Sequence, residues 1–231
     1  MKFYRNKKIS LFLLLYVLIS INVIGSEVEF SGDVTGVSTY VWRGVKQYSG
    51  PAMQGTAGFS YGALSFGLWY SSVAFGDIEI ESDPYIEVSL PTGSVSTSIG
   101  ATIYTYDLFE SFNDDADYEY EVFAKAGVGP VGLAAFFVPS QSSTENNLNE
   151  SDYWIEASGE TSFKGADLSV TLGYGTYSSK WLAEPKKDAV SSLVLSAGKS
   201  ISENASVSWN YSLGLDDDME NILWMGFMYG F

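Results

Sequence analysis

The chain contains no cysteine and no histidine among its 231 residues. Without cysteine there is no disulfide framework, no thiolate metal site, no thiol nucleophile and no residue for thioether lipid attachment. Without histidine the commonest metal ligand and the usual general base near neutral pH are also missing. Most familiar hydrolase mechanisms are thereby excluded, including the histidine-dependent ones of barrel-shaped lipases, acyltransferases and proteases. Positive charge is scarce as well: 12 Lys and Arg face 28 Asp and Glu, a formal net charge of −16. Nucleic acid, whose binding is driven by neutralising phosphates, is a poor partner for such a chain.

Four of those few basic residues, Lys2, Arg5, Lys7 and Lys8, precede an apolar run at positions 9–24, which the small residues Gly25 and Ser26 close. This order reads as a secretory signal peptide over residues 1–26, cleaved after Gly25 or Ser26, and the run is short for an anchor helix. Removing four of the 12 bases leaves 8 against 28 acids, a net charge of −20 on residues 27–231. No later segment reaches the roughly 18 unbroken apolar residues of a membrane helix. An exported chain of this kind meets a membrane again only as strands.

What is present is alternation. With 46% hydrophobic and 16% aromatic residues, one domain is built from about twelve strands, near positions 28–40, 53–61, 64–75, 80–90, 95–106, 118–128, 131–139, 152–163, 166–178, 189–201, 205–213 and 221–231. Gly62-Ala63, Thr92-Gly93-Ser94, Gly129-Pro130, Lys164-Gly165 and Ser202-Glu203 are tight turns, while the connectors at 41–52, 107–117, 140–151, 179–188 and 214–220 are longer and more polar. Short turns on one rim, long loops on the other and an even strand count are the plan of an antiparallel up-and-down transmembrane β-barrel.

Period-2 patterning assigns the faces. Ile80, Ile86, Val88 and Leu90 alternate with Glu79, Glu81, Asp83 and Glu87; Tyr118, Tyr120, Val122 and Ala124 alternate with Asp117, Glu119, Glu121 and Lys125; Tyr153, Ile155 and Phe163 oppose Asp152, Trp154, Glu156 and Glu160. In a barrel the polar columns line the lumen, adding Glu29, Asp33 and Asp167 to these acids and leaving Lys125 as the one inward base. A soluble sandwich would invert the faces, and the pattern by itself fits both. The last segment favours the membrane: Leu223, Met225, Phe227, Tyr229 and Phe231 share one face and end on an aromatic. Phe227, Tyr229 and Phe231 resemble the C-terminal signal by which Gram-negative outer-membrane proteins meet their assembly machinery.

A carboxylate-lined, narrow aqueous path concentrates cations and repels anions. The expected function is passive, cation-favouring diffusion of small hydrophilic solutes. The alternative is a closed structural or adhesive barrel, since the inward aromatics Trp69, Tyr85, Tyr104, Phe123 and Trp154 can fill a small lumen. Carboxylate-pair catalysis stays arithmetically open, but nothing singles out one pair from so many acids, and no enzyme is expected. No cofactor or metal site is expected either. The acidic loops, with Asp216-Asp217-Asp218 and Glu220 in one of them, lack EF-hand spacing and read as solvated surface. Expected partners are outer-membrane lipid and lipopolysaccharide, the assembly machinery and small solutes, with a monomer as default.

The segment Tyr40-Val41-Trp42-Arg43-Gly44-Val45-Lys46-Gln47-Tyr48, followed by Gly50-Pro51-Ala52-Met53-Gln54, and the later Asp83-Pro84-Tyr85 resemble the TorF porin family, proteobacterial outer-membrane barrels of unknown function. Lys46 and Tyr48 stand where that family has small polar residues. The resemblance implies an outer-membrane barrel with a pore. Within it Arg43 and Gln47 are candidate constriction residues: Arg43 either folds inward against lumen carboxylates or forms a structural ion pair holding the first loop.

Overall fold

The structure, a computed structural model, describes residues 27–72, 80–105, 118–139, 151–178, 186–217 and 219–231. Among the described residues fourteen strands follow one another: β1 (Val28–Val37), β2 (Tyr40–Trp42), β3 (Val45–Tyr48), β4 (Ala52–Tyr61), β5 (Leu64–Ser71), β6 (Glu81–Leu90), β7 (Ser96–Tyr104), β8 (Glu119–Val128), β9 (Val131–Val138), β10 (Asp152–Phe163), β11 (Ala166–Tyr177), β12 (Lys186–Ser200), β13 (Ala205–Gly214) and β14 (Ile222–Gly230). Twelve of them close into an antiparallel barrel in which each neighbours the next, while β2 and β3 form a separate two-stranded sheet. The twelve wall strands agree with the sequence expectation. The signal segment and the loop tips, with Glu79 and Asp117, lie outside the described residues.

The barrel closes where β1 meets both β4, from Val28↔Tyr61 to Val37↔Ala52, and β14, from Asp33↔Gly230 to Val37↔Gly226. Beyond the last register pair, the Phe231 N–H donates to the Gly32 carbonyl at 2.9 Å and the Gly32 N–H donates to the Phe231 carbonyl at 3.1 Å. Backbone donors at the seam are thus paired, as closure without an edge requires. Turns at the short rim use residues that tolerate a left-handed backbone, as at Lys164-Gly165 with φ of 52° and 74°.

Cross-strand partners share a face, so the registers fix what points where. Glu87 pairs with Gly100, Gly100 with Phe123, Phe123 with Phe136 and Phe136 with Trp154, one continuous inward row. The opposite row is apolar and open to the surroundings: Phe30 is 80% exposed, Leu223 69% and Phe231 70%, with Leu133, Ile155, Leu172, Met225 and Phe227 in the same outer surface. On the inner face Glu121 is 2% exposed and Trp154 1%. The sandwich alternative is overturned: the carboxylates are inside and the greasy columns outside. An outer surface of this composition is unstable in water and suited to hydrocarbon.

The stretch 41–52 was expected to be a polar outer-rim connector, and strand one to run to residue 40; instead β1 stops at Val37 and the chain turns into the barrel as the β2–β3 hairpin. Trp42 and Val45 flank a two-residue turn whose central residues, Arg43 and Gly44, have φ of 51° and 81°. Two left-handed residues give a turn whose twist matches its strands. Seven further residues cannot stabilise such a hairpin alone. The lumen wall does so.

Candidate functional site: the hairpin-crossed lumen

The hairpin tip docks on one side of the wall and reaches across to the other. The Ser192 hydroxyl of β12 donates to the Arg43 carbonyl at 3.3 Å, and the Ser212 hydroxyl of β13 donates to the Gly44 carbonyl at 3.4 Å. Fit at this contact is tight: a Cβ on Gly44 would lie 2.6 Å from the Ser192 Cβ. Glycine is therefore needed here for space as well as for its positive φ. Val45 packs into a small apolar core with Trp154, Tyr177 and Val190, joined by Trp42, Phe136 and Met219. Gln47, on the same face of β3 as Val45, is also buried.

From that dock the Arg43 side chain extends to β8. Its Nη2 donates to Glu121 Oε2 at 2.7 Å, with both side chains almost wholly buried. Tyr104 Oη donates to the other carboxylate oxygen at 2.9 Å. The guanidinium also lies over aromatic faces, its Cζ 4.2 Å from the Trp42 ring centroid and 4.6 Å from that of Phe136. Burying this pair is tolerable because both charges have partners; removing one partner of a buried pair costs about 3–5 kcal/mol. Arg43 thus satisfies both sequence alternatives at once, an inward-folded group and a structural ion pair. Tyr40 Oη donates to Glu81 on β6 at 2.9 Å, and its ring lies 5.7 Å from that of Trp69 on β5. Lys46, on the opposite face of β3 from Val45, pairs with Glu220 at 2.7 Å. The hairpin therefore touches the wall from β5 round to β13 and crosses the long-loop end of the lumen.

The inward acids occupy distinct environments. Asp152 accepts from the Thr176 hydroxyl at 2.8 Å and the Ser178 N–H at 2.6 Å, tying the long-loop ends of β10 and β11 together. Asp83 accepts from the Thr105 N–H at 3.2 Å, and Glu119 is buried beside it on the same rim. Deeper along the lumen Glu87 pairs with Lys125 at 2.8 Å, and Glu156 accepts from the Trp154 indole N–H at 3.0 Å. At the short-turn end Glu29 is exposed, Asp33 accepts from Thr35, Asp167 accepts from Ser162, and Glu160 lines the vestibule. Lys125 is joined by Arg43 as an inward base, which corrects the expectation of a single one.

Four residues of this site carry no site role in the sequence pattern: Trp42, which appears there only within the family-like segment, and Phe136, Tyr177 and Val190. A signal existed. The β9 segment Val131–Val138 has apolar or small residues on both faces, so its inner face calls for an apolar cover. The bulky inward rings are seated over glycines of the neighbouring strand. A Cβ on Gly173 would meet Trp154 Cζ2 at 2.3 Å, and one on Gly100 would meet Phe123 Cζ at 2.3 Å.

Free volume remains below the hairpin. A cavity of about 470 Å³ is bounded by Trp42, Arg43, Tyr85, Tyr104, Phe123, Phe136, Glu87 and Glu156 among others. A second, of about 360 Å³, shares Glu87, Lys125 and Glu156 with it and continues past Ser96, Ser98 and Ser158. Towards the short turns a third, of about 560 Å³, is lined by Glu160, Ser162, Asp167, Ser169, Ser196 and Ser208.

No protein-family model and no curated protein matches the chain. Among solved structures, the crystal structure of an outer-membrane channel from Pseudomonas putida F1 is similar with a TM-score of 0.53 at 12% identity, covering 90% of this chain and 95% of that one. Another, from work on the in-meso crystallization of membrane proteins, has a TM-score of 0.53 at 9% identity over 87% of this chain and 83% of its own. At these identities the likeness is one of fold, a closed antiparallel barrel. The TorF resemblance is not matched by a family model, and its residues lie on the hairpin, at the start of β4 and, for Asp83-Pro84-Tyr85, on β6.

Proposed function

We propose that this protein is an outer-membrane, porin-like channel through which small hydrophilic solutes diffuse, cations in preference to anions. The observation that carries this reading is the sorting of charge: Glu81, Asp83, Glu87, Glu119, Glu121, Glu156, Glu160 and Asp167 face the interior against Lys125 and Arg43, while the exterior is apolar. Fixed carboxylates in a low-dielectric wall hold a negative potential along the path. Arg43 and its hairpin form the constriction at the long-loop end, and solutes pass beside it through the connected cavities along β6 to β10. Export through residues 1–26, recognition of Phe227, Tyr229 and Phe231 by the assembly machinery, a monomeric state in lipid and lipopolysaccharide, and TorF membership belong to the same proposal. So does the absence of catalysis.

The test is conductance of the purified full-length mature barrel in planar bilayers under a salt gradient. A reversal potential of cation-selective sign is expected. Anion selectivity, or no conductance in several lipids, overturns the proposal. A second reading, a closed structural or adhesive barrel, is favoured by the apolar core that the hairpin forms with the wall; it predicts heat-modifiable β structure without conductance.

A further inference from the structure

The cavity under the hairpin has a composition that general permeation does not require. Two positive groups of the protein already sit in it or at its edge, and both are held the same way, by an aromatic face and a carboxylate. Arg43 lies over Trp42 and Phe136 and bonds Glu121; Lys125 Nζ lies 4.4 Å from the Phe123 ring centroid and 2.8 Å from Glu87. Cation–aromatic contact strengthened by partial desolvation is the common feature.

A charge balance then leaves one carboxylate over. Arg43 neutralises Glu121 and Lys125 neutralises Glu87. Glu156 receives only the neutral indole N–H of Trp154, and no lysine or arginine pairs with it among the described residues. The cavity of about 470 Å³ that it lines lies within the range of small-molecule sites. Its lining sets the rings of Tyr85, Tyr104, Phe123 and Phe136 among charged side chains.

We infer that this cavity is a binding subsite for a small organic cation with an aromatic or apolar body, the body lying among the lining rings beside Tyr85 and Tyr104 and the ammonium or guanidinium group on Glu156. Each part of the ligand meets its complement. A bare inorganic cation would make no use of an apolar lining, a neutral aromatic would leave Glu156 without a counter-charge, and an anion would be repelled. The inference rests on the channel reading for the ligand's way in, whereas the pocket is a property of the folded barrel.

The test is calorimetric titration of the detergent-folded full barrel with 2-phenylethylammonium, against phenylacetate and 2-phenylethanol as bodies of similar size and different charge. Saturable one-to-one binding of the ammonium is expected, with the alcohol weaker by about tenfold, the scale of one charge-assisted hydrogen bond, and no binding of phenylacetate. Glu156→Gln is expected to weaken the ammonium about tenfold. Glu203→Gln, which removes an equal charge from the exposed Ser202-Glu203 turn, leaves affinity unchanged. Equal binding of phenylacetate, or unaltered affinity in Glu156→Gln with native heat-modifiability, overturns the inference. In bilayers the ammonium interrupts the current of a conducting channel. Binding without conductance sinks the channel reading and leaves the subsite standing; conductance without binding does the reverse.

Discussion

The two halves of the lumen are made by the same strands and differ in kind. At the long-loop end the wall presents Trp154, Tyr177, Val190 and Phe136, and the chain's own hairpin fills the space between them. At the short-turn end the same strands present Ser162, Ser169, Ser196, Ser208 and Gly198 around open volume. Along β10 the change occurs within a few residues, from buried Asp152 and Trp154 to Glu156, Ser158 and the exposed Glu160. The comparison teaches where this narrow barrel places its inserted segment. At the hairpin end Arg43 and Glu121 are tied into a buried ion pair, whereas at the short-turn end Asp167 accepts only from the Ser162 hydroxyl and Glu160 stands exposed. A barrel of fixed diameter has no other means of constriction than side chains or an inserted segment.

Removing the hairpin breaks this comparison most severely. Replacing residues 41–47 by a short Gly-Ser linker is expected to raise single-channel conductance several-fold while the wall stays folded, since the inserted element is the obstacle in the long-loop half. Bilayer recording and heat-modifiability check both parts; unchanged conductance would show that the constriction lies elsewhere. Next in size is Glu121→Gln, which leaves Arg43 buried without its charge partner. A loss of about 3–5 kcal/mol in hairpin docking is expected, read as new protease sensitivity around residues 40–48 at unchanged barrel denaturation.

Gly44→Ala is expected to be milder. The left-handed φ of 81° and the approach to Ser192 together destabilise the docked hairpin by about 1–3 kcal/mol, visible in the same protease assay and as noisier open-channel current. The smallest effect belongs to the open half. Glu160→Gln is expected to leave stability within about 0.5 kcal/mol and to lower the cation-to-anion permeability ratio slightly. If Glu160→Gln alters the ratio more than Glu121→Gln does, the selectivity of the pore resides in its vestibule.

Much of the wall was legible in the sequence. Inward and outward columns at Glu81, Asp83 and Glu87 or at Tyr153 and Ile155 follow from strand periodicity alone, because a strand has only two faces and only one of them tolerates charge. The tight turns were legible from Gly-containing pairs. The hairpin was only half legible. Arg43-Gly44 between Tyr40-Val41-Trp42 and Val45 carries a two-residue turn signal, yet no local property says whether such a hairpin points into solvent or into the barrel. The apolar inner face of β9 was the missed clue.

The sequence by itself determined the strands, their faces, the two unequal rims and the acidic sign of the interior, since each follows from contacts between near neighbours in the chain. Only the tertiary structure decided that residues 40–48 fold inward, that Arg43 finds Glu121 of β8, and that Glu156 is left facing a ring-lined cavity. Those outcomes depend on which side chains, far apart along the chain, closure of the barrel brings within a few ångströms of one another, and no period or turn motif encodes that distance.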